Sequence, residues 1–225
     1  MEFYTGPGSR YAAGVNLPSM SYLELIFSFI PFYLIGSIPS GYLLARRQGV
    51  DITRAGSGNI GATNVARIVG KRSGFYTLLV DISKGFIATV LGMAISPWPA
   101  YPAWVGLCAV LGHCFSIPGK FRGGKGVATA LGVYLALTPL CALIGLLVFA
   151  GMFSWTKIVS VSSLCGAITI PLGAILLGAS AQETIAMTLI SIVVIYRHHE
   201  NLYNLINGTE KKFSFKHQPN GGSPA

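Results

Sequence analysis

LCALIGLLVFAGMFSWTKIVSVSSLCGAITIPLGAILL, residues 140–177, carries one charged side chain, Lys157, between two apolar runs, Leu140–Trp155 and Ile158–Leu177. About 20 mostly apolar residues cross a bilayer as a helix, and Lys157 reads as an anchor at the interface. Outward from this stretch, further apolar runs lie at roughly Leu23–Ala45, Phe75–Ile95, Ala103–Ile117, Val127–Thr138 and Thr184–Tyr196. The expected fold is an all-α integral membrane protein with about seven transmembrane helices. The fourth, fifth and seventh runs are short, and Thr138-Pro139 reads as either a kink or a turn. Five or six full spans with re-entrant pieces therefore stand beside seven.

Composition agrees. Of 225 residues, 52% are hydrophobic and 10% charged, with a mean hydropathy of +0.60. A soluble domain carries about a quarter charged residues, and disorder needs low hydrophobicity with high charge. Cys108, Cys114, Cys141 and Cys165 sit in apolar stretches without a C-x-x-C pair, so they read as packing residues rather than a zinc or disulfide framework. No metal or cofactor is expected. The net charge is +9, but no aromatic-interleaved basic face accompanies it, and nucleic acid is set aside as a partner.

Lys and Arg accumulate on the cytoplasmic side of membrane proteins. Arg46, Arg47, Arg54, Arg67, Lys71 and Arg72 share the first inter-span segment with one acid, Asp51. Lys120, Arg122 and Lys125 lie in Pro118–Gly126, and Arg197, Lys211, Lys212 and Lys216 follow the last run. The intervening loops, Ser96–Pro102 and Gly178–Glu183, hold no Lys or Arg. Seven crossings place the N-terminus outside and the C-terminus in the cytoplasm. Residues 1–20 read as a polar extension without a signal peptide, residues 21–213 as one transmembrane domain, and residues 214–225 as a disordered tail.

Three basic segments carry candidate chemistry. Gly56-Ser57-Gly58-Asn59-Ile60-Gly61-Ala62-Thr63-Asn64-Val65-Ala66-Arg67 supplies glycines for a backbone anion nest, side-chain donors, and a guanidinium fork for phosphate. Gly123-Gly124-Lys125-Gly126 runs into a small-residue helix, whose N-terminus favours anions, though the Walker A spacing is absent. Tyr196–Glu210 reads as a helix continuing from the last span, with His198, Asn201 and Leu205 on one face. Arg197 there reads either as a snorkelling interface residue or as part of a polar row with Asn201 and Asn204. Asp81 and Lys84, at i and i+3 inside a span, read as a buried structural pair. In Gly36-Ser37-Ile38-Pro39-Ser40-Gly41, small residues permit close helix approach, and Ser37 or Ser40 would repair backbone groups freed by Pro39.

GSIPSGYLLAR (36–46), GSGNIGATNVAR (56–67), GHCFSIPGKFRGGKGVAT (112–129) and YRHHENLYNLINGTEKKF (196–213) together resemble the bacterial acyl-phosphate-dependent glycerol-3-phosphate acyltransferases. The resemblance spans roughly Leu23 to Phe213. Ser116 stands where the family commonly has proline, and Arg122 where it usually has lysine. It implies acyl transfer from an acyl phosphate to glycerol 3-phosphate, giving 1-acylglycerol 3-phosphate and phosphate, the first committed step of phospholipid synthesis. It implies catalytic roles for Ser57, Arg67, Lys125, His198 and Asn201, and substrate binding by Gly56, Gly58, Asn59, Gly61, Thr63, Asn64, Gly123, Gly124 and Gly126. It further implies a bacterial inner-membrane location, a cytoplasmic site, and functional neighbours that form acyl phosphate and carry out the second acylation. No His-x-x-x-x-Asp pair occurs, which argues against acyl-CoA-type glycerolipid acyltransferases. The proton acceptor is either His198 or a substrate phosphate oxygen, the latter being the reading we carry forward. A transporter for an anionic solute is the alternative from a different class.

Overall fold

Pro39 cannot donate a backbone hydrogen bond, and it divides the first apolar run. The computed structural model describes residues 22–117 and 123–213. The expected N-terminal extension, the tail from 214 onward, and Lys120 and Arg122 lie outside the described residues. The first run forms α1 (Tyr22–Ser28), α2 (Ile30–Gly36) and α3 (Ser40–Arg46). Carbonyls exposed at the break are met from other elements: Ser116 Oγ donates to Ser37 O at 2.8 Å, and Lys84 Nζ to Ile38 O at 3.0 Å. The expected repair by Ser37 or Ser40 is thus corrected. Ser37 Oγ turns to Tyr33 O and Gly112 O, and Ser40 Oγ donates to Asp81 at 2.6 Å.

A short helix, α4 (Ala62–Ile68), precedes α5 (Lys71–Ile95), α6 (Tyr101–Cys114), α7 (Val127–Leu137), α8 (Pro139–Thr156) and α9 (Val159–Leu176). Then come α10 (Ala181–Tyr196) and α11 (His199–Ile206). Among the described residues, four stretches are long and apolar enough to cross a membrane: Leu23–Arg46, α5, α8 and α9. Three shorter apolar helices, α6, α7 and α10, accompany them. Thr138, at φ −142°, separates α7 from α8, and Pro139 opens α8 where its missing N–H is harmless. That junction is a turn between helices. The largest outward shifts of expected helix starts are at α5 and α10. α5 starts at Lys71 rather than Phe75, and a Ser180–Glu183 capping box starts α10 three residues before Thr184.

Gly36 and Gly112 let α2 and α6 touch. A Cβ on either would overlap the backbone of Ala109 or Tyr33. A larger core joins α6, α7, α8, α9 and α10 through Val110, Val133, Ala142, Ile170 and Ile190. Phe75, Leu79, Leu143, Leu147, Leu172 and Leu176 face outward and exposed, the pattern of a surface solvated by lipid tails. The expected structural pair is present. Lys84 Nζ lies 2.9 Å from Asp81 Oδ1, with side-chain exposures of 4% and 2%, fixing α5 to the α2–α3 break.

Candidate functional site

Asn64, on α4, organises the first basic segment. Its Oδ1 accepts from Ser57 N at 3.1 Å, and its Nδ2 donates to Ala55 O at 3.0 Å and Asn59 O at 2.8 Å. Both amide hydrogens are occupied inside the loop, which gives Asn64 a shaping role there. Asn59 Oδ1 accepts from Gly61 N at 2.7 Å, closing a turn. Gly56 and Gly58 adopt φ of 64° and 69°, left-handed values that glycine reaches without strain. Among the described residues nothing pairs with the Ser57 or Thr63 hydroxyl or with the Arg67 guanidinium.

Gly126, at φ 84°, turns the second segment into α7 and leaves Lys125 half-buried just before the helix. Lys125 Nζ donates to Asn201 Oδ1. Asn201 Nδ2 in turn donates to Glu210 Oε1 at 2.6 Å, as does Ser160 Oγ at 2.6 Å. Burial draws the Lys125 amine below the usual lysine range. The Glu210 and Glu200 carboxylates oppose that shift, and the Arg197 and Arg67 charges add to it. Arg197 does not snorkel. It donates from Nη2 to Gly123 O at 2.9 Å and from Nε to Gly124 O at 3.1 Å, with its guanidinium 5.5 Å from the Phe115 ring centre. Gly124 N–H, expected for phosphate, donates to His113 O at 3.1 Å.

The third segment is not one continuous helix. α10 ends at Tyr196, α11 starts at His199, and His198 occupies the break with 3% exposure. Its Nδ1 lies 2.7 Å from Val194 O. A carbonyl only accepts, so Nδ1 carries the proton and Nε2 is left as an acceptor. Burial lowers the His198 pKa to about 4, assisted by the Lys125 and Arg197 charges, while the bond to Val194 opposes the shift. The native state therefore holds His198 neutral, and the unfolded chain takes up its proton first as pH falls below about 6.5. Stability present above that pH is lost toward pH 4, with a slope approaching about 1.4 kcal/mol per pH unit. Between pH 7 and pH 5, wild type should lose roughly 2 kcal/mol relative to His198→Gln, read as unfolding midpoints of both proteins in detergent. An unchanged gap would contradict this.

These elements enclose a cavity of about 1310 Å³. Gly56, Ser57, Asn59, Gly61, Thr63, Asn64 and Arg67 line it from the first segment, Lys125 and Gly126 from the second, and His198 and Asn201 from the third. Gly58, Gly123 and Gly124 do not line it. Glu210, Arg197 and Ser160 were missed in the sequence. Glu210 left one signal, as a lone acid beside Lys211 and Lys212. Away from the cations the cavity continues between helices, along Leu131, Ala142, Phe149, Ala167 and Ile170.

Fold and site together define a helical membrane protein with a cation-rich chamber opening into an apolar slot, suited to a molecule with an anionic head and an apolar tail. Comparison with known proteins makes the class specific. Residues 26–208 match the glycerol-3-phosphate acyltransferase family. A glycerol-3-phosphate acyltransferase of Trichlorobacter lovleyi is 47% identical over 80% of this chain and 93% of its own length. One of Aquifex aeolicus is 39% identical over 85% of this chain and 100% of its own. The crystal structure of PlsY (YgiH), an integral membrane glycerol 3-phosphate acyltransferase in its glycerol 3-phosphate form, superposes with a TM-score of 0.80. It is 39% identical and covers 84% of this chain and 96% of PlsY. The chain belongs to the glycerol-3-phosphate acyltransferase family and is an integral membrane acyltransferase of phospholipid biosynthesis.

Proposed function

We propose that this protein transfers a fatty acyl group from an acyl phosphate to the sn-1 hydroxyl of glycerol 3-phosphate. The products are 1-acylglycerol 3-phosphate and inorganic phosphate. The observation that carries the reading is the single cavity in which Arg67, Lys125 and His198 meet at one end and an apolar slot begins at the other. Relatives named for the same acceptor, and PlsY structures in glycerol 3-phosphate and lysophosphatidic acid forms, support it.

An acyl phosphate is a mixed anhydride and needs no further activation. The bond from the sn-1 oxygen to the acyl carbon forms, and the bond from that carbon to the phosphate oxygen breaks. Lys125 and Arg67 offset the charge on the tetrahedral oxyanion and the departing phosphate. Ser57, Thr63 and the loop around Asn64 orient the acceptor, an effect that alone can supply many powers of ten. His198 is too weak a base near pH 7 to hold the hydroxyl proton. A substrate phosphate oxygen, with a second pKa of about 6, accepts it. In our reading the chamber faces the cytoplasm of a bacterial inner membrane, with the N-terminus outside. An acyl-phosphate-forming enzyme then supplies the donor, and a second acyltransferase consumes the product.

Purified protein given palmitoyl phosphate and glycerol 3-phosphate should release phosphate only when both are present, and palmitoyl-CoA should not replace the donor. Turnover with palmitoyl-CoA instead would overturn the donor assignment. No turnover with either would overturn the acyl-phosphate reading and leave the acyl donor open.

A further inference from the structure

Asp81 and His113 both line the cavity and have no part in the chemistry described above. His113, near the end of α6, is 5% exposed, and its Nδ1 stands 3.7 Å from Asp81 Oδ1. The same Asp81 oxygen accepts from Ser40 at 2.6 Å and pairs with Lys84 at 2.9 Å. The other edge of the imidazole lies under the glycine loop. A Cβ on Gly124 would overlap His113 Nε2, and a Cβ on Gly123 would overlap His113 O. His113 O also accepts from Gly124 N–H at 3.1 Å. Opposite, Arg197 holds the carbonyls of Gly123 and Gly124. The two glycines are therefore gripped between His113 and Arg197, and the next residue is Lys125.

An imidazole with a carboxylate near Nδ1 has the outline of a base and its orienting acid, but 3.7 Å is beyond hydrogen-bond distance. Here the nitrogen a base would use abuts the Gly124 backbone, so the arrangement suits support rather than proton abstraction. We propose that His113, on α6 beside Asp81, is a positioning residue: it seats the Gly123–Gly124 turn and thereby sets where Lys125 presents its ammonium in the cavity. The proposal explains why two glycines precede the lysine without lining the cavity themselves. Any side chain there would displace the turn from its seat. It rests on the acyltransferase reading for its kinetic consequence but not for its structural one.

The experiment compares wild type, His113→Ala and His113→Gln in detergent. His113→Gln keeps a polar group reaching toward the place of Nε2, while His113→Ala removes the seat. Two readouts are taken: phosphate release from palmitoyl phosphate and glycerol 3-phosphate, and acetylation of Lys125 by acetic anhydride, read by mass spectrometry on folded protein without substrate. In His113→Ala, kcat should fall about a hundredfold, the scale of a 1 Å misplacement, and Lys125 labelling should rise several-fold as its bond to Asn201 is lost. In His113→Gln, both should return most of the way to wild type. If His113→Ala is folded and Lys125 labelling is unchanged, the proposal is overturned whatever the activity. The same holds if its kcat stays within about threefold of wild type. Should wild type itself fail to turn over, the acyl-phosphate reading falls, while labelling still decides the seating role. If His113→Ala does not fold, His113→Gln labelled as strongly as an unfolded control overturns it, and labelling at the wild-type level supports it.

Discussion

Lys125→Met lowers kcat for phosphate release by about a thousandfold while leaving the protein folded. Methionine keeps an unbranched apolar stem that stops one atom short of the ammonium, so the change removes a charge and three donors. The lost ammonium sits in a half-buried position between the first and third basic segments, held by Asn201. In such a site a fixed charge acts with little screening, and removing one preorganised stabiliser of a developing oxyanion costs about two to three powers of ten in kcat. Arg67 remains but stands on α4, so it does not occupy the vacated place. Loss of the cation also leaves Glu210 facing Asn201 and Ser160 without its positive neighbour. A second variant, Lys125→Met with Glu210→Gln, removes that strain and should recover stability without recovering turnover. Phosphate release measured on both, with midpoints of thermal unfolding alongside, separates the two effects. If Lys125→Met alone keeps kcat within tenfold of wild type, electrostatic stabilisation by this residue is excluded.

The sequence revealed the apolar runs because bilayer-length hydrophobicity is a property of composition, visible without partners. It also located the segments holding Lys125, Arg67 and His198, since glycine and basic residues between spans are legible one residue at a time. Roles inside those segments were less accessible. Asn64 and Ser57 look alike as donors in a string of letters. Only the fold shows that the Asn64 amide is used by Ala55, Asn59 and Ser57, while the Ser57 hydroxyl is left exposed. Arg197 fits a snorkelling pattern by position, and its turn inward depends on carbonyls more than 70 residues away. The break before α11 carries no proline or glycine to announce it. It becomes visible only where His198 bonds back to Val194. Donor identity lies further out of reach still, because phosphate bound to glycerol and phosphate bound to an acyl group ask for the same cations.

Lys84→Met should destabilise the protein by about 3–5 kcal/mol, the usual consequence of leaving one member of a buried ion pair alone. Asp81 is 2% exposed, and within 3.7 Å its carboxylate faces Lys84, Ser40 and His113. Of these only Lys84 carries a permanent charge. The same ammonium also donates to Ile38 O beside Pro39, but that carbonyl keeps the Ser40 N–H as a donor at 3.0 Å, so the uncompensated Asp81 charge dominates the loss. Neutralising both partners tests this. Lys84→Met with Asp81→Asn removes the uncompensated charge, keeps an acceptor for Ser40, and should regain most of the loss. At roughly 2–4 °C per kcal/mol for a chain of this size, the single variant should unfold roughly 10 °C or more below wild type in the same detergent. The double variant should lie between them. Turnover adds an internal check on the single variant, since neither Lys84 nor Ile38 lines the cavity: Lys84→Met protein still folded at the assay temperature should keep a KM for glycerol 3-phosphate close to wild type. A single variant melting within 2 °C of wild type would mean that water or lipid headgroups reach Asp81 when Lys84 is gone. The pair would then be a local accommodation rather than the bond that holds α5 to the broken first helix.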